Sequence, residues 1–251
     1  MFTFELPQIH DFLKAISVLT ETFDDSFDLK FSPAIFSIMA AASPSSRCVI
    51  ALQLSPQIFT TYVCAKLYYK FIFFETFCDT MQECERTGFS SLTFSFQEID
   101  HDAKLASIPG CDKKVDVPLL PSTEEMDVGE FDFGIFVSIE SQEFINIIKR
   151  LSDFDYVLVT LSISQVKFSY GRKAIILTQE EKQCIIGGIN EASDRILFVI
   201  TLQPTEFFCN VVGRSKRVWL FKSINNYSKG VISAPLGLYA KYLIYFFDRR
   251  E

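Results

Sequence analysis

Histidine is almost missing: His10 and His101 are the only two in 251 residues, far apart and without metal-ligand spacing. His101, within Ile99-Asp100-His101-Asp102, reads as a turn residue. No GxGxxG, GxxxxGK[ST] or GxSxG run occurs, which removes the common dinucleotide, P-loop and serine-hydrolase signatures. Carboxylates are plentiful, yet no pair stands apart from ordinary solvated charge. The chain therefore reads as one without an active site, metal or cofactor. The seven cysteines contain no CxxC pair, their number is odd, and no signal peptide is visible, so reduced thiols in an intracellular protein are expected. The apolar stretches Tyr62–Phe77 and Leu238–Phe247 are too short for a membrane span and are broken by Lys66, Lys70 and Lys241. A formal charge of −7 argues against a generally adhesive nucleic-acid binder but permits a local basic surface.

What the chain does have is one segment written twice. Residues 11–37 overlie residues 143–169 without a gap, with seven identities in 27 positions. Phe12 meets Phe144, Ile16 meets Ile148, Leu19 meets Leu151, and Ser32, Phe36 and Ser37 meet Ser164, Phe168 and Ser169. Phe12, Leu13, Ile16 and Leu19 lie on one helical face, whereas Phe27, Leu29 and Phe31 alternate as a half-buried strand does. Short alternating runs precede both helices, Phe2-Phe4-Leu6 and Ile135-Val137-Ile139. A second repeat follows, with Glu75, Phe77 and Cys78 meeting Glu206, Phe208 and Cys209. Two similar halves are expected, each with two short helices and many strands, in an α+β fold.

Along the first half, strands are expected at Cys48–Leu54, Ile58–Cys64, Leu92–Phe96 and Lys104–Ile108, the last on a sheet edge. A helix is expected at Glu75–Arg86, closed by Gly88. The boundaries read as 1–114, a connector at 115–130, and 131–251. Two prolines and an acidic run mark residues 113–130 as an extended connector outside any sheet. Its apolar Leu119, Leu120, Met126 and Val128 either tack it to its own domain or border a groove for a partner peptide. In the second half, helices are expected at 141–152 and 204–213. Strands are expected at 156–163, 166–170, 174–178, 195–202, 217–224, 230–235 and 239–247, with a polar turn region at 179–194. The second sheet-edge candidate is Ala174–Gln179.

Particular runs resemble the sliding-clamp family, that of proliferating cell nuclear antigen (PCNA). They are Met1-Phe2 before a helix bearing Lys14; Phe36–Met39 followed by Val49-Ile50-Ala51-Leu52-Gln53-Leu54; and Phe59-x-x-Tyr62-x-Cys64. Glu143-Phe144 through Leu151-Ser152, Gly171 after Val166-Lys167-Phe168-Ser169-Tyr170, and Lys241-Tyr242-Leu243 are similar too. The resemblance covers nearly the whole chain. It implies a DNA-clamp (processivity) fold and a trimeric ring, of this chain or with paralogues, around duplex DNA. It implies a non-enzymatic role in replication and repair, in the nucleus or at a viral replication site. A clamp loader, DNA polymerase and repair proteins carrying short aromatic motifs are the implied partners.

On the family's pattern, Lys14, Lys149, Arg150, Arg214, Lys216 and Arg217 would face sequence-independent DNA. Lys149-Arg150 alone is an ordinary solvated helix face; the repeat is what favours a lining role. The floor of the partner groove would be Met39, Val49 and Ala51, with Leu119, Leu120, Met126 and Val128 on the connector side and Tyr245 and Phe246 closing the C-terminal side. Two features depart from the family. The helix Glu75–Arg86 is acidic where a clamp carries lysines, and Ile244-Tyr245-Phe246-Phe247 replaces an Ala-Pro segment. Both suit a divergent clamp or one subunit of a heterotrimeric checkpoint clamp. A two-domain protein scaffold that does not bind DNA is the rival from another class.

Overall fold

The computed structural model describes residues 2–20, 26–41, 48–88, 90–97, 102–107, 114–121, 128–191, 195–224 and 229–246. The chain divides into two compact units, Met1–Ala41 with Ala51–Met126, and Ala42–Ile50 with Asp127–Glu251. It is mixed α/β, dominated by antiparallel sheet, with four α-helices among the described residues.

In the first unit, β1 (Phe2–Leu6) leads into α1 (Ile9–Thr20), β2 (Ser26–Phe31), β3 (Phe36–Ala41) and β4 (Cys48–Leu54), of which residues 51–54 belong to this unit. Then come β5 (Thr61–Cys64), β6 (Tyr68–Phe73), α2 (Phe74–Arg86), β7 (Leu92–Phe96), β8 (Asp102–Ser107), β9 (Lys114–Pro118) and β10 (Leu120–Pro121). In the second unit, β11 (Phe131–Glu140), α3 (Ser141–Arg150), β12 (Val157–Leu161), β13 (Gln165–Tyr170) and β14 (Lys173–Thr178) repeat the opening order. They are followed by β15 (Cys184–Gly187), β16 (Ile196–Ile200), α4 (Thr205–Gly213), β17 (Arg217–Ser223), β18 (Gly230–Pro235) and β19 (Ala240–Phe246).

The strand orders are the same in both units. One sheet of the first unit runs β5-β1-β7-β8-β9, and the second unit has β15-β11-β17-β18-β19. The other runs β6-β2-β3-β4, matched by β16-β12-β13-β14, with β10 added beside β6. Each strand number of the first unit, raised by ten, gives its counterpart. The helices fall at the same two connections in both units. The duplication visible in the sequence is thus a duplication of topology.

Period-two burial builds the sheets. Phe2, Phe4 and Leu6 point inward from β1, and Leu92, Phe94 and Phe96 do so from β7, which pairs with it residue by residue. The first core is therefore aromatic. Phe4 stacks on Phe94 at 5.1 Å, Phe31 stacks on Phe36 at 5.0 Å, and Phe2 lies 4.4 Å from Phe31. The second core is aliphatic around Val157, Val159, Val166, Ile200 and Val211, with Phe144 and Phe168 6.0 Å apart.

Four local expectations change. Residues 56–58 form a 3-10 turn begun by Pro56, so the strand predicted at Ile58–Cys64 is shortened to β5. The first part of the stretch expected to be a connector outside any sheet is sheet: β9 pairs with β8, and β10 pairs with β6. Val115 and Val117 alternate as strand residues do, and Pro118 is tolerated because it ends an edge strand. Consequently Lys104–Ile108 is not the edge. β8 lies between β7 and β9, and β9 ends that sheet; Ile108 itself is outside the described residues. The turn region at 179–194 also contains β15, which pairs with β11.

Burial pushes the Cys48 and Cys78 thiols up to about 12 from 9.0, and the Tyr242 and Tyr245 hydroxyls up to about 12 from 10.0. The folded chain keeps these protons after the unfolded chain has lost them. Stability from this source is complete below the unfolded values and is lost as pH rises through the folded ones. The melting temperature is expected to fall between pH 9 and 12. A flat profile across that window would contradict the burial of these groups.

Candidate functional site

In the second unit, α3 buries Phe144, Ile147 and Ile148, leaving Gln142, Asn146, Lys149 and Arg150 on its outer stripe. Lys149 and Arg150 occupy the last turn, where the helix dipole favours cations, and Glu143 sits in the first. α4 packs beside α3 and buries Phe207, Phe208, Val211 and Val212. Arg214 caps α4 and is exposed, as is Lys216. The Ser141 N–H at the start of α3 donates to the Lys216 carbonyl at 3.1 Å, so Arg214 and Lys216 lie beside that end of α3. Lys149 and Arg150 lie at the other end, about 12 to 14 Å away at 1.5 Å per residue. Lys149 also stands close enough to Cys209 of α4 to favour its thiolate, although burial outweighs this and the thiol is pushed up. This helix pair therefore has exposed cations at both ends.

Arg217 is not one of them. Its Nε donates to Ser138 Oγ at 3.0 Å, Nη2 donates to the Ser138 carbonyl at 3.1 Å, and Nη1 lies 3.4 Å from Glu140. Glu140 is its register partner across the β11–β17 ladder. Arg217 clamps the sheet, so its expected place among the DNA-facing cations is corrected.

The corresponding pair in the first unit has different charges. α1 exposes His10, Asp11 and Lys14, and α2 exposes Glu75, Asp79, Glu83 and Arg86. Arg86 is bound to Glu83 one turn back, and His10 Nδ1 lies 2.9 Å from Glu85. Four acids and one arginine give α2 a charge of −3.

The groove residues fall into two groups. Within the first unit, register places Leu120 beside Phe71, Phe71 beside Asp28, and Asp28 beside Met39, in one row across the sheet. Tyr69 and Phe73 flank Phe71 on the same face of β6, with Phe71 and Phe73 edge-to-face at 5.5 Å. Phe73 is 49% exposed and Leu120 43%, while Met39 is buried. Tyr69, Phe71 and Phe73 were not among the expected residues; their alternation sits in the stretch weighed only as a membrane span. Leu119 is fully buried, which tacks the connector to its own unit, whereas the adjacent Leu120 points to the opposite face and is exposed.

Ala51 and Val49 are buried in β4, and Val128, in the second unit, is half-buried. Met126 lies outside the described residues. Tyr245 packs on Phe131 at 5.5 Å, whereas Phe246 stacks on Phe208 of α4 at 6.1 Å. Neighbouring strand residues point to opposite faces, so the two cannot close one groove together. Phe246 is core, and its expected groove role is corrected.

Among the described residues no group of three or more His, Cys, Asp or Glu side chains is placed to hold a metal ion. No described helix is long and apolar enough to cross a membrane. No protein-family model and no curated protein matches the chain.

Proposed function

We propose that this chain is a divergent sliding clamp, assembling head to tail into a ring around duplex DNA and tethering polymerases and repair proteins to it. The observation that carries the reading is the duplicated unit: two helices at equivalent connections of two equivalent sheets, with exposed cations on the second pair. Sequence-independent DNA contact needs cations aimed at phosphates and no base-reading element. Lys149, Arg150, Arg214 and Lys216 provide them, and Lys14 adds one from α1.

Ring closure needs two unlike edges, and β9 and β14 end their sheets in different units. β9 replaces the segment 103–108 as the first of them. Native mass measurement tests the assembly. Three times 28.7 kDa supports the homotrimer, and a monomer at micromolar concentration would overturn the ring of identical copies. The acidic α2 also favours a second reading, a checkpoint-clamp subunit whose ring forms only with paralogues. In that case the monomer would assemble on adding them.

The face formed by Leu120, Phe71 and Phe73 suits a short peptide with aromatic anchors, since exposed apolar side chains there give such anchors a surface to pack against. Leu120→Asp is expected to weaken binding of a Gln-x-x-Leu-x-x-Phe-Phe peptide by about 2 kcal/mol, because a charge must be desolvated against an aromatic ring. Assembly should be unaffected. Equal titration curves for the wild type and variant would remove this face from partner binding.

A further inference from the structure

Building on the ring reading, we propose that the joint between copies is electrostatic and polar in direction. The acidic α2–β9 end of one copy docks on the basic α3–β14 end of the next. The anomalous helix α2 then has a positive role, as half of a subunit interface.

Each edge strand has a helix beside it. In the first unit α2 packs against β9. Together they carry five acids and two bases, a net −3, with Asp79 and Glu83 exposed on α2 and Asp116 exposed on β9. In the second unit Lys173, on β14, donates from Nζ to the Arg150 carbonyl at 3.4 Å and fixes the end of α3 beside that strand. α3, the turn at 171–172 and β14 carry four bases and one acid, a net +3. Asp153 and Asp155 in the loop after α3 reduce this without reversing it, and Asp153 lies 3.7 Å from Lys173.

The edge itself is prepared for a partner. The two-residue turn at 171–172 makes Tyr170 and Lys173 a hydrogen-bonded pair, and alternation along the ladder makes Ser169/Ala174 and Lys167/Ile176 non-bonded pairs. The N–H and C=O groups of Ala174 and Ile176 therefore point away from β13. The outward N–H of Thr178 is already taken by Gln183 Oε1 at 3.1 Å, which limits a docking strand to the Lys173 end, where the cations are. Ile176 is 49% exposed on the same strand.

The occupant is a second copy of this chain, because the two surfaces differ in sign and lie in different units. Such a pair joins head to tail, and like ends repel. Unlike charges in a joint steer association and suppress wrong pairings.

The test is a polarity swap followed by sedimentation at low and high salt. Asp79→Lys with Glu83→Lys makes both ends basic, and Arg172→Glu with Lys173→Glu makes both acidic. Each is expected to weaken assembly on the order of tenfold to a hundredfold. The chain carrying all four changes restores unlike ends, and its assembly should return. Wild-type assembly should also loosen as salt rises. If a variant fails to fold, as judged by its melting curve, the wild-type salt titration alone decides. Assembly that ignores both salt and the half-reversals, or half-reversals that the full swap does not rescue, would overturn this joint and leave the ring standing. A wild type that is monomeric at every salt concentration would overturn both this joint and the ring of identical copies.

Discussion

Ile176→Pro is expected to take the assembly apart while leaving the second unit folded. The side chain of Ile176 is exposed, so its replacement creates no cavity. Its N–H points away from β13, so the β13–β14 ladder loses no bond. What disappears is a donor on the edge of the sheet, and the proline ring obstructs an approaching strand there. The same change at Ile175 is the control: that residue is buried and its N–H belongs to the ladder, so it should damage folding itself. Sedimentation and thermal melting separate the outcomes. An Ile176→Pro chain that keeps its full assembly mass would show that β14 is not a subunit edge.

Reversing Lys149, Arg150, Arg214 and Lys216 to Glu is expected to abolish most DNA retention and flatten its salt dependence. Each lost phosphate contact lowers the slope of log affinity against log salt by about 0.9. Four contacts correspond to a loss of roughly 3 to 4 in slope, plus added repulsion. Arg86→Glu should matter little, because Arg86 is bound to Glu83 on a helix that is already acidic. Arg217→Ala should act through stability, because its donors serve Ser138 and Glu140. Binding of the quadruple variant with the wild-type slope would remove the α3–α4 face from DNA contact.

The helices were legible in the sequence because their apolar spacing is local. Phe12, Ile16 and Leu19 needed only a window of three turns, and α1 and α3 start 132 residues apart, as the repeat requires. β4 could be read to its ends, since every residue from Cys48 to Leu54 except Gln53 is buried. β9 was hidden because two prolines and surrounding charge outweighed the alternation of two valines. β15 was hidden because it has four residues among polar turns and gains its strand character by pairing with β11.

The site was harder to read because side-chain role depends on distant partners. Arg217 looked like its basic neighbours until Ser138, 79 positions away, proved to hold it. The aromatic row on β6 became part of a face only when β10 folded back beside Phe71. Phe246 could be assigned to the core only through its stacking on Phe208. Adjacent chain positions such as Leu119 and Leu120 differ completely in exposure, which strand alternation explains and composition does not.

The most direct test of the clamp reading is retention on DNA of two topologies. The protein is placed on a closed circular duplex, and half of the sample is then cut once with a restriction enzyme at constant salt. A ring held by topology should stay on the closed circle through a salt wash and leave the cut molecule by sliding off its ends. Release at the same rate from circular and linear DNA would contradict encirclement, and with it the function proposed for this chain.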